Sequence, residues 1–166
     1  MMKTCGELFV YGTLKQDQLR GSLWPRGPIC VRKAMVQGTL WDLGHYPGLT
    51  PGHDWCLGEL WSIAAEDLEE TLAVLDEIEG YCKKSDTGLY VRRPIRARVQ
   101  SSNGHEQWED VDAQTYMFEQ LSKVTSKRWI RPWLRSPIAL EQGLEVASWP
   151  DEYSHVPTRL DDEQDL

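Results

Sequence analysis

The sequence lacks a Cys-x-x-Cys pair, a long apolar run and an excess of basic residues. Its 4 cysteines, Cys5, Cys30, Cys56 and Cys82, are scattered, and this spacing gives neither a zinc ribbon nor a redox motif. No stretch approaches the roughly 18 apolar residues of a membrane span, and the N-terminal residues have no long apolar core of a signal peptide. We therefore expect reduced thiols in a cytoplasmic protein.

The charge balance is acidic, and the histidines show no ligand spacing. There are 26 Asp and Glu against 18 Lys and Arg, a net charge of −8, which argues against nucleic acid or an anionic membrane as the main partner. A Walker phosphate loop is absent. The 4 histidines are isolated and a hard-metal site needs several oxygen ligands, so we expect no metal site.

The hydrophobic pattern predicts a strand-rich domain with one strong helix. Leu68, Leu72 and Leu75 repeat at helical spacing and Gly80 is placed to end the helix, so residues 65–79 are predicted to be helical. A segment dense in Gly and Pro, 44–54, predicts a loop. The pattern of residues 31–43 is compatible with one bent strand or with two. Four further segments are predicted to be strands, namely 7–11, 55–63, 90–99 and 112–118. This pattern indicates an α+β fold built on a small, largely closed sheet.

The last quarter differs in composition from the rest. Residues 126–144 are basic and rich in Trp, which predicts a helical or irregular packing segment, and residues 160–166 form an acidic tail. With 166 residues the chain suits one domain with a real core. We therefore expect a principal domain over 1–120 and a C-terminal extension over 121–166 that packs on it.

Three acids lie near the predicted helix end, in the stretch LDEIEGY. Counting four residues on from Leu75 reaches Glu79, in line with the side chains that face the core, whereas Glu77 points to water. Burial and the helix C-terminus both disfavour negative charge, so the pKa of Glu79 should be raised, as suits a proton-transferring group. The alternative is that the helix ends earlier and Glu79 turns outward. Paired-carboxylate glycoside hydrolysis is weakly supported, because no second acid is singled out.

A possible ligand loop, Tyr11-Gly12-Thr13-Leu14, follows the first strand. Gly12 would permit close backbone approach or a positive φ, and successive N–H groups at such a turn can bind an anion. A plain turn is the simpler alternative. Other candidates are weaker, since Tyr90 and Tyr116 have the pattern of half-buried core tyrosines and Cys82 lacks an identifiable His partner.

Taken in order, six short motifs resemble the gamma-glutamylcyclotransferase-like family, specifically its gamma-glutamylamine cyclotransferase branch. They are VYGTLK at 10–15, GHYPGL at 44–49, GELW at 58–61, LDEIEGY at 75–81, YVRR at 90–93 and AQTYMF at 113–118. The resemblance covers about residues 7–120. It implies a small closed or nearly closed mixed β-barrel with flanking helices, which agrees with the α+β pattern.

The resemblance also implies roles for particular residues. Glu79 would be the general acid/base, and the backbone of Tyr11, Gly12, Thr13 and Leu14 would contact the substrate. Tyr46, Pro47 and Tyr116 would line the pocket, while Asp76 could serve either the site or the structure.

The reaction that the resemblance implies is intramolecular. The α-amine of a small γ-glutamyl substrate attacks its own γ-carbonyl, which yields 5-oxoproline and a free amine without a metal or organic cofactor. Two alternatives stay open. One is a non-catalytic binding or interaction domain on the same fold, and the other is carboxylate-dependent hydrolysis, which would release glutamate. The amine leaving group and the oligomeric state are not specified by these motifs.

Overall fold

A computed structural model describes residues 5–100, 108–132 and 145–149 of the chain. Five long strands and one α-helix make up most of it, with two short 3-10 turns at Gly21–Leu23 and Leu121–Lys123. In chain order the elements are β1 (Cys5–Val10), β2 (Cys30–Asp42), β3 (Pro47–Ala64), α1 (Ala65–Glu79), β4 (Tyr81–Cys82), β5 (Thr87–Gly88), β6 (Tyr90–Gln100), β7 (Trp108–Phe118), β8 (Arg128–Ile130) and β9 (Val146–Ala147).

The long strands close into a barrel. The order β2-β6-β7-β1-β3 is completed by a pairing between β2 and β3. The barrel is mixed, because β1 and β7 run parallel while the other pairs of the ring are antiparallel. The predicted α+β fold with a closed or nearly closed mixed barrel is confirmed, although the described residues contain one α-helix rather than several.

Strand alternation divides the apolar side chains between two clusters. On β1, Phe9 belongs to the cluster that fills the barrel, whereas its neighbours Leu8 and Val10 belong to the cluster beneath α1. This follows from the two-residue period of a strand, which sends successive side chains to opposite faces. Leu75 of α1 is fully buried in the second cluster, so the helix is fixed against the outside of the barrel.

The helix agrees with its prediction at both ends. α1 spans Ala65–Glu79, and Gly80 follows with φ 67°, a left-handed conformation that suits glycine. The Gly80 N–H donates to carbonyl groups of the last turn. Glu77 is exposed, as predicted, and Glu79 is buried rather than turned outward. In the described ranges no helix is long and apolar enough to cross a membrane.

One loop prediction is wrong. Most of the segment 44–54 belongs to β3, which begins at Pro47 and pairs with β2. Proline is tolerated at the first position of a strand. The local Gly and Pro content indicated a loop, whereas the strand forms because it pairs with residues that are distant in the sequence. The segment 31–43 is one bent strand, whose register with β3 shifts between Gln37 and Thr39, next to Gly38.

The C-terminal region adds short strands to the barrel where it is described. Arg128–Ile130 forms β8 on β2, in place of a helical or irregular segment, and Val146–Ala147 forms β9 on β3. Residues 133–144 of the basic Trp-rich segment and the acidic tail lie outside the described residues.

Candidate active site

Glu79 combines burial with access to a cavity. As the last residue of α1 it is 9% exposed, and it lines an open cavity of about 710 Å³, solvent at the mouth included. Burial raises the pKa of Glu79 to about 7, and the nearby positive charge of Arg20 opposes that shift. Within the described residues the Glu79 carboxylate has no hydrogen-bond donor. A carboxyl group that titrates near neutral pH can both accept and return a proton.

The loop after β1 forms another part of the cavity wall. Gly12, Thr13 and Leu14 line it, and no acceptor in the described ranges pairs with their three N–H groups. Gly12 does not have a positive φ. It is required for close approach, because a Cβ at this position would lie 2.7 Å from Cγ of Pro47. The loop therefore offers consecutive N–H donors to an anionic or carbonyl oxygen.

Side chains from elsewhere in the chain hold this loop in place. The Trp24 indole N–H donates to the Leu14 carbonyl at 3.0 Å, and its ring stacks on Trp61 with 3.9 Å between centroids. The Gln16 N–H donates to the buried Glu59 carboxylate at 2.9 Å. The loop is therefore a supported structure rather than a free turn.

Three tyrosines shape the cavity between α1 and the strands. The Tyr11 hydroxyl donates to the Tyr116 carbonyl at 2.5 Å and accepts from the Leu49 N–H at 3.2 Å. The Tyr90 hydroxyl donates to the Pro47 carbonyl at 2.5 Å. Burial raises the pKa of all three phenols, so they stay neutral and act as fixed hydrogen-bonding groups.

Asp76 lies outside the cavity lining. Its carboxylate accepts two hydrogen bonds from Arg92, at 2.9 and 3.1 Å, and one from the Tyr116 hydroxyl at 2.6 Å. Both charged side chains are about nine-tenths buried, at 10% and 11% exposure. Of the two roles left open for Asp76, support of the helix end is the one that these contacts favour.

All eight residues named from the sequence line this one cavity, although the eight come from four separate segments. They are Glu79, Tyr11, Gly12, Thr13, Leu14, Tyr46, Pro47 and Tyr116. The structure adds Arg20 and Tyr90. Tyr90 had the pattern of a core tyrosine, and Arg20 lies in a polar segment without periodicity. Arg20 carries no local signal in the sequence, whereas Tyr90 opens the YVRR motif but was assigned only to the core. Within the described ranges no three His, Cys, Asp or Glu side chains form a metal-binding group.

Comparison with known proteins points to one family. The family described as Gamma-glutamyl cyclotransferase, AIG2-like, matches residues 8–131. A gamma-L-glutamyl-butirosin B gamma-glutamyl cyclotransferase from Niallia circulans is 36% identical over 103 residues, 61% of this chain and 63% of that protein. The gamma-glutamylcyclotransferase family protein ytfP of Citrobacter rodentium is 32% identical over 90 residues, 54% of this chain and 70% of that protein. The chain thus spans less than two thirds of the first relative's length.

Solved structures share the fold at low sequence identity. An AIG2-like protein from Mus musculus superposes with a TM-score of 0.57 at 19% identity, covering 87% of this chain and 96% of that one. A yeast gamma glutamyl cyclotransferase specific to glutathione has a TM-score of 0.52 at 11% identity, covering 70% and 69%. The chain belongs to the gamma-glutamyl cyclotransferase, AIG2-like family.

Proposed function

We propose that the protein is a gamma-glutamyl cyclotransferase in which Glu79 transfers the proton. The observation that carries the proposal is the buried Glu79 carboxyl group, whose pKa is raised to about 7, in a cavity that it shares with the unpaired N–H groups of Gly12, Thr13 and Leu14. A proton-transfer group and a set of oxyanion donors are the two elements that acyl transfer by a tethered amine needs.

The nucleophile belongs to the substrate. Its α-amine, in the neutral form left after the ammonium has lost one proton to solvent, attacks the γ-carbonyl carbon, and a C–N bond forms as the carbonyl oxygen takes up negative charge. Glu79 accepts the proton that the attacking nitrogen loses. A carboxylate whose acid form titrates near 7 is a suitable base for the positively charged nitrogen that this attack produces.

Collapse of the intermediate completes the reaction. The oxygen re-forms its double bond, the original γ-amide C–N bond breaks, and Glu79 returns its proton to the leaving nitrogen. The products are 5-oxoproline and a free amine, and the carboxylate is regenerated. Because the nucleophile is already tethered, the enzyme's main task is to hold the substrate in the folded geometry for attack.

The loop donors supply the electrostatic part of this scheme. N–H groups of Gly12, Thr13 and Leu14 stabilise the oxyanion or hold the substrate's α-carboxylate. Trp24 and Glu59 fix this loop through the bonds to Leu14 and Gln16. The names of the relatives support the reaction type, and the family match supports its assignment to this fold.

The test measures 5-oxoproline released from a panel of γ-glutamyl amines, γ-glutamyl amino acids and glutathione. Glu79→Gln keeps the size of the side chain and removes its titration, so we expect turnover to fall at least about 100-fold. Glu69→Gln is the matched control, since Glu69 is an exposed acid on the same helix. Parental turnover in Glu79→Gln would show that the assignment of Glu79 is wrong. Retention of a γ-glutamyl compound without turnover would favour a binding domain.

A further inference from the structure

Arg20 is a positively charged residue of the cavity wall that has no ion-pair partner among the described carboxylates. Among the described residues it is the only Arg or Lys that lines the cavity with Glu79. Its guanidinium has one long hydrogen bond, from Nη1 to the Ile78 carbonyl at 3.4 Å, and no described carboxylate forms an ion pair with it. Most of its five N–H donors are therefore available to a ligand.

The backbone holds Arg20 in this position. Its N–H donates to the Thr13 carbonyl at 2.7 Å, which joins it to the loop with the unpaired N–H groups. Gly21 follows in a turn so tight that an added Cβ would lie 2.2 Å from the Lys15 carbonyl oxygen. A positioned guanidinium loses less entropy when it binds an anion than a free surface arginine does.

Two acids share the cavity lining with Arg20. Glu77 is exposed, and Glu79 is the buried carboxyl group that titrates near neutral pH. The Arg20 charge reaches the interior, because it lowers the pKa values of Glu79 and Tyr90 against the larger effect of burial. A substrate whose amine is close to Glu79 would thus place a neighbouring carboxylate within the field of Arg20.

We propose that Arg20 binds a carboxylate group of the γ-glutamyl substrate and so contributes to substrate choice, an inference that rests on the proposed function. The carboxylate has two sources. Every γ-glutamyl compound carries one at its α-carbon, and a γ-glutamyl amino acid carries a second on the leaving amine. Both are a few bonds from atoms that exchange protons with Glu79 in the scheme above. A guanidinium fork pairs with either through two parallel hydrogen bonds.

The experiment measures binding without turnover. Full-length Glu79→Gln protein is titrated by calorimetry with γ-glutamyl-alanine and with γ-glutamyl-alaninamide, which differ only in the carboxylate of the leaving group. Arg20→Gln is then added to this background. Arg26→Gln is the matched control, because Arg26 lies in the same segment, is exposed and pairs with Glu70. Arg20→Lys keeps the charge but not the fork, and thermal unfolding checks that each variant is folded.

We expect Arg20→Gln to raise Kd about 10- to 100-fold, with partial recovery in Arg20→Lys and no change in Arg26→Gln. An effect on both ligands assigns Arg20 to the α-carboxylate, and an effect on γ-glutamyl-alanine alone assigns it to the leaving group. Equal Kd values in Arg20→Gln and Arg26→Gln, or no binding to the background protein, would overturn the proposal. A failure of the proposed function gives a different result, because the parent protein would then release no 5-oxoproline.

Discussion

The Arg92 guanidinium donates two hydrogen bonds to the Asp76 carboxylate, at 2.9 and 3.1 Å. Tyr116 of β7 adds a third at 2.6 Å, so one carboxylate joins α1 to both β6 and β7. Asp76 lies three residues before Glu79, about one helical turn. The hydrogen bonds from Arg92 and Tyr116 to Asp76 therefore hold the end of α1 against the barrel. They thereby also position the Glu79 side chain.

Asp76→Asn should destabilise the protein. The change leaves the buried Arg92 charge without its counter-ion, and removal of one partner from a buried pair costs about 3 kcal/mol or more. Urea denaturation should show this loss in the free energy of unfolding. Glu69→Gln, which neutralises an exposed acid of the same helix, should alter it by less than about 0.5 kcal/mol. Equal stability of the two variants would mean that the ion pair does not support the helix end.

The stability of the parent protein should depend on Glu79 across a defined pH window. The folded-state pKa is raised from 4.5 to about 7, so the folded chain keeps a proton that the unfolded chain has released. The contribution of Glu79 is fully present below pH 4.5, falls as pH rises, and is lost above about pH 7. Gln resembles the protonated form and has no such dependence.

Denaturation at several pH values tests this expectation. The stability of Glu79→Gln relative to the parent should increase between pH 4.5 and 7, by up to about 3 kcal/mol. Glu69→Gln should follow the parent at every pH. If the stabilities of Glu79→Gln and the parent change with pH in the same way, Glu79 has an ordinary pKa in the folded protein.

Local patterns predicted the helix, and this success has a clear physical basis. Leucines at helical spacing, a Gly at the end and an acid in line with the leucines all lie within one short stretch, so 65–79 and the burial of Glu79 followed from the sequence. The strand at Pro47 did not follow, because it forms by pairing with β2 at residues such as Leu40. The role of Asp76 depends in the same way on Arg92, a partner on another element.

Gly12→Ala should disrupt the loop that faces Glu79. The added Cβ would lie 2.7 Å from Cγ of Pro47, and the loop or Pro47 must move. Stability should fall by about 1–3 kcal/mol, and a loop shift near 1 Å should lower kcat/KM on the order of 100-fold. Gly27→Ala is the control, because a Cβ there meets nothing within 4 Å. If both alanine variants retain parental activity, the close packing of Gly12 on Pro47 is not required.

Trp24→Phe should weaken the loop without unfolding the protein. Phenylalanine keeps the stack on Trp61 and loses the hydrogen bond to the Leu14 carbonyl. Since such a bond is worth about 1 kcal/mol, KM should rise about fivefold with little change in Tm. Trp55→Phe on β3 offers the same change away from the cavity and should leave KM unaltered. An unchanged KM in Trp24→Phe would argue that the loop needs no such anchor.

Arg20 and Tyr90 show where sequence reasoning about the site ends. Arg20 reaches the cavity because its backbone bonds to Thr13, and no periodic pattern marks that turn. The sequence pattern of Tyr90 predicted a core position only. In the structure Tyr90 packs in the core cluster beneath α1 and also lines the cavity. Both positions depend on tertiary contacts between segments, which local spacing does not encode.

The most direct test of the central claim is product analysis in water enriched in ¹⁸O, with γ-glutamyl substrate and the parent, Glu79→Gln and Glu69→Gln proteins. Intramolecular attack predicts 5-oxoproline without ¹⁸O, formed equally by parent and Glu69→Gln and at least about 100-fold more slowly by Glu79→Gln. Glutamate that carries ¹⁸O, or 5-oxoproline formed by Glu79→Gln at the parental rate, would contradict the claim.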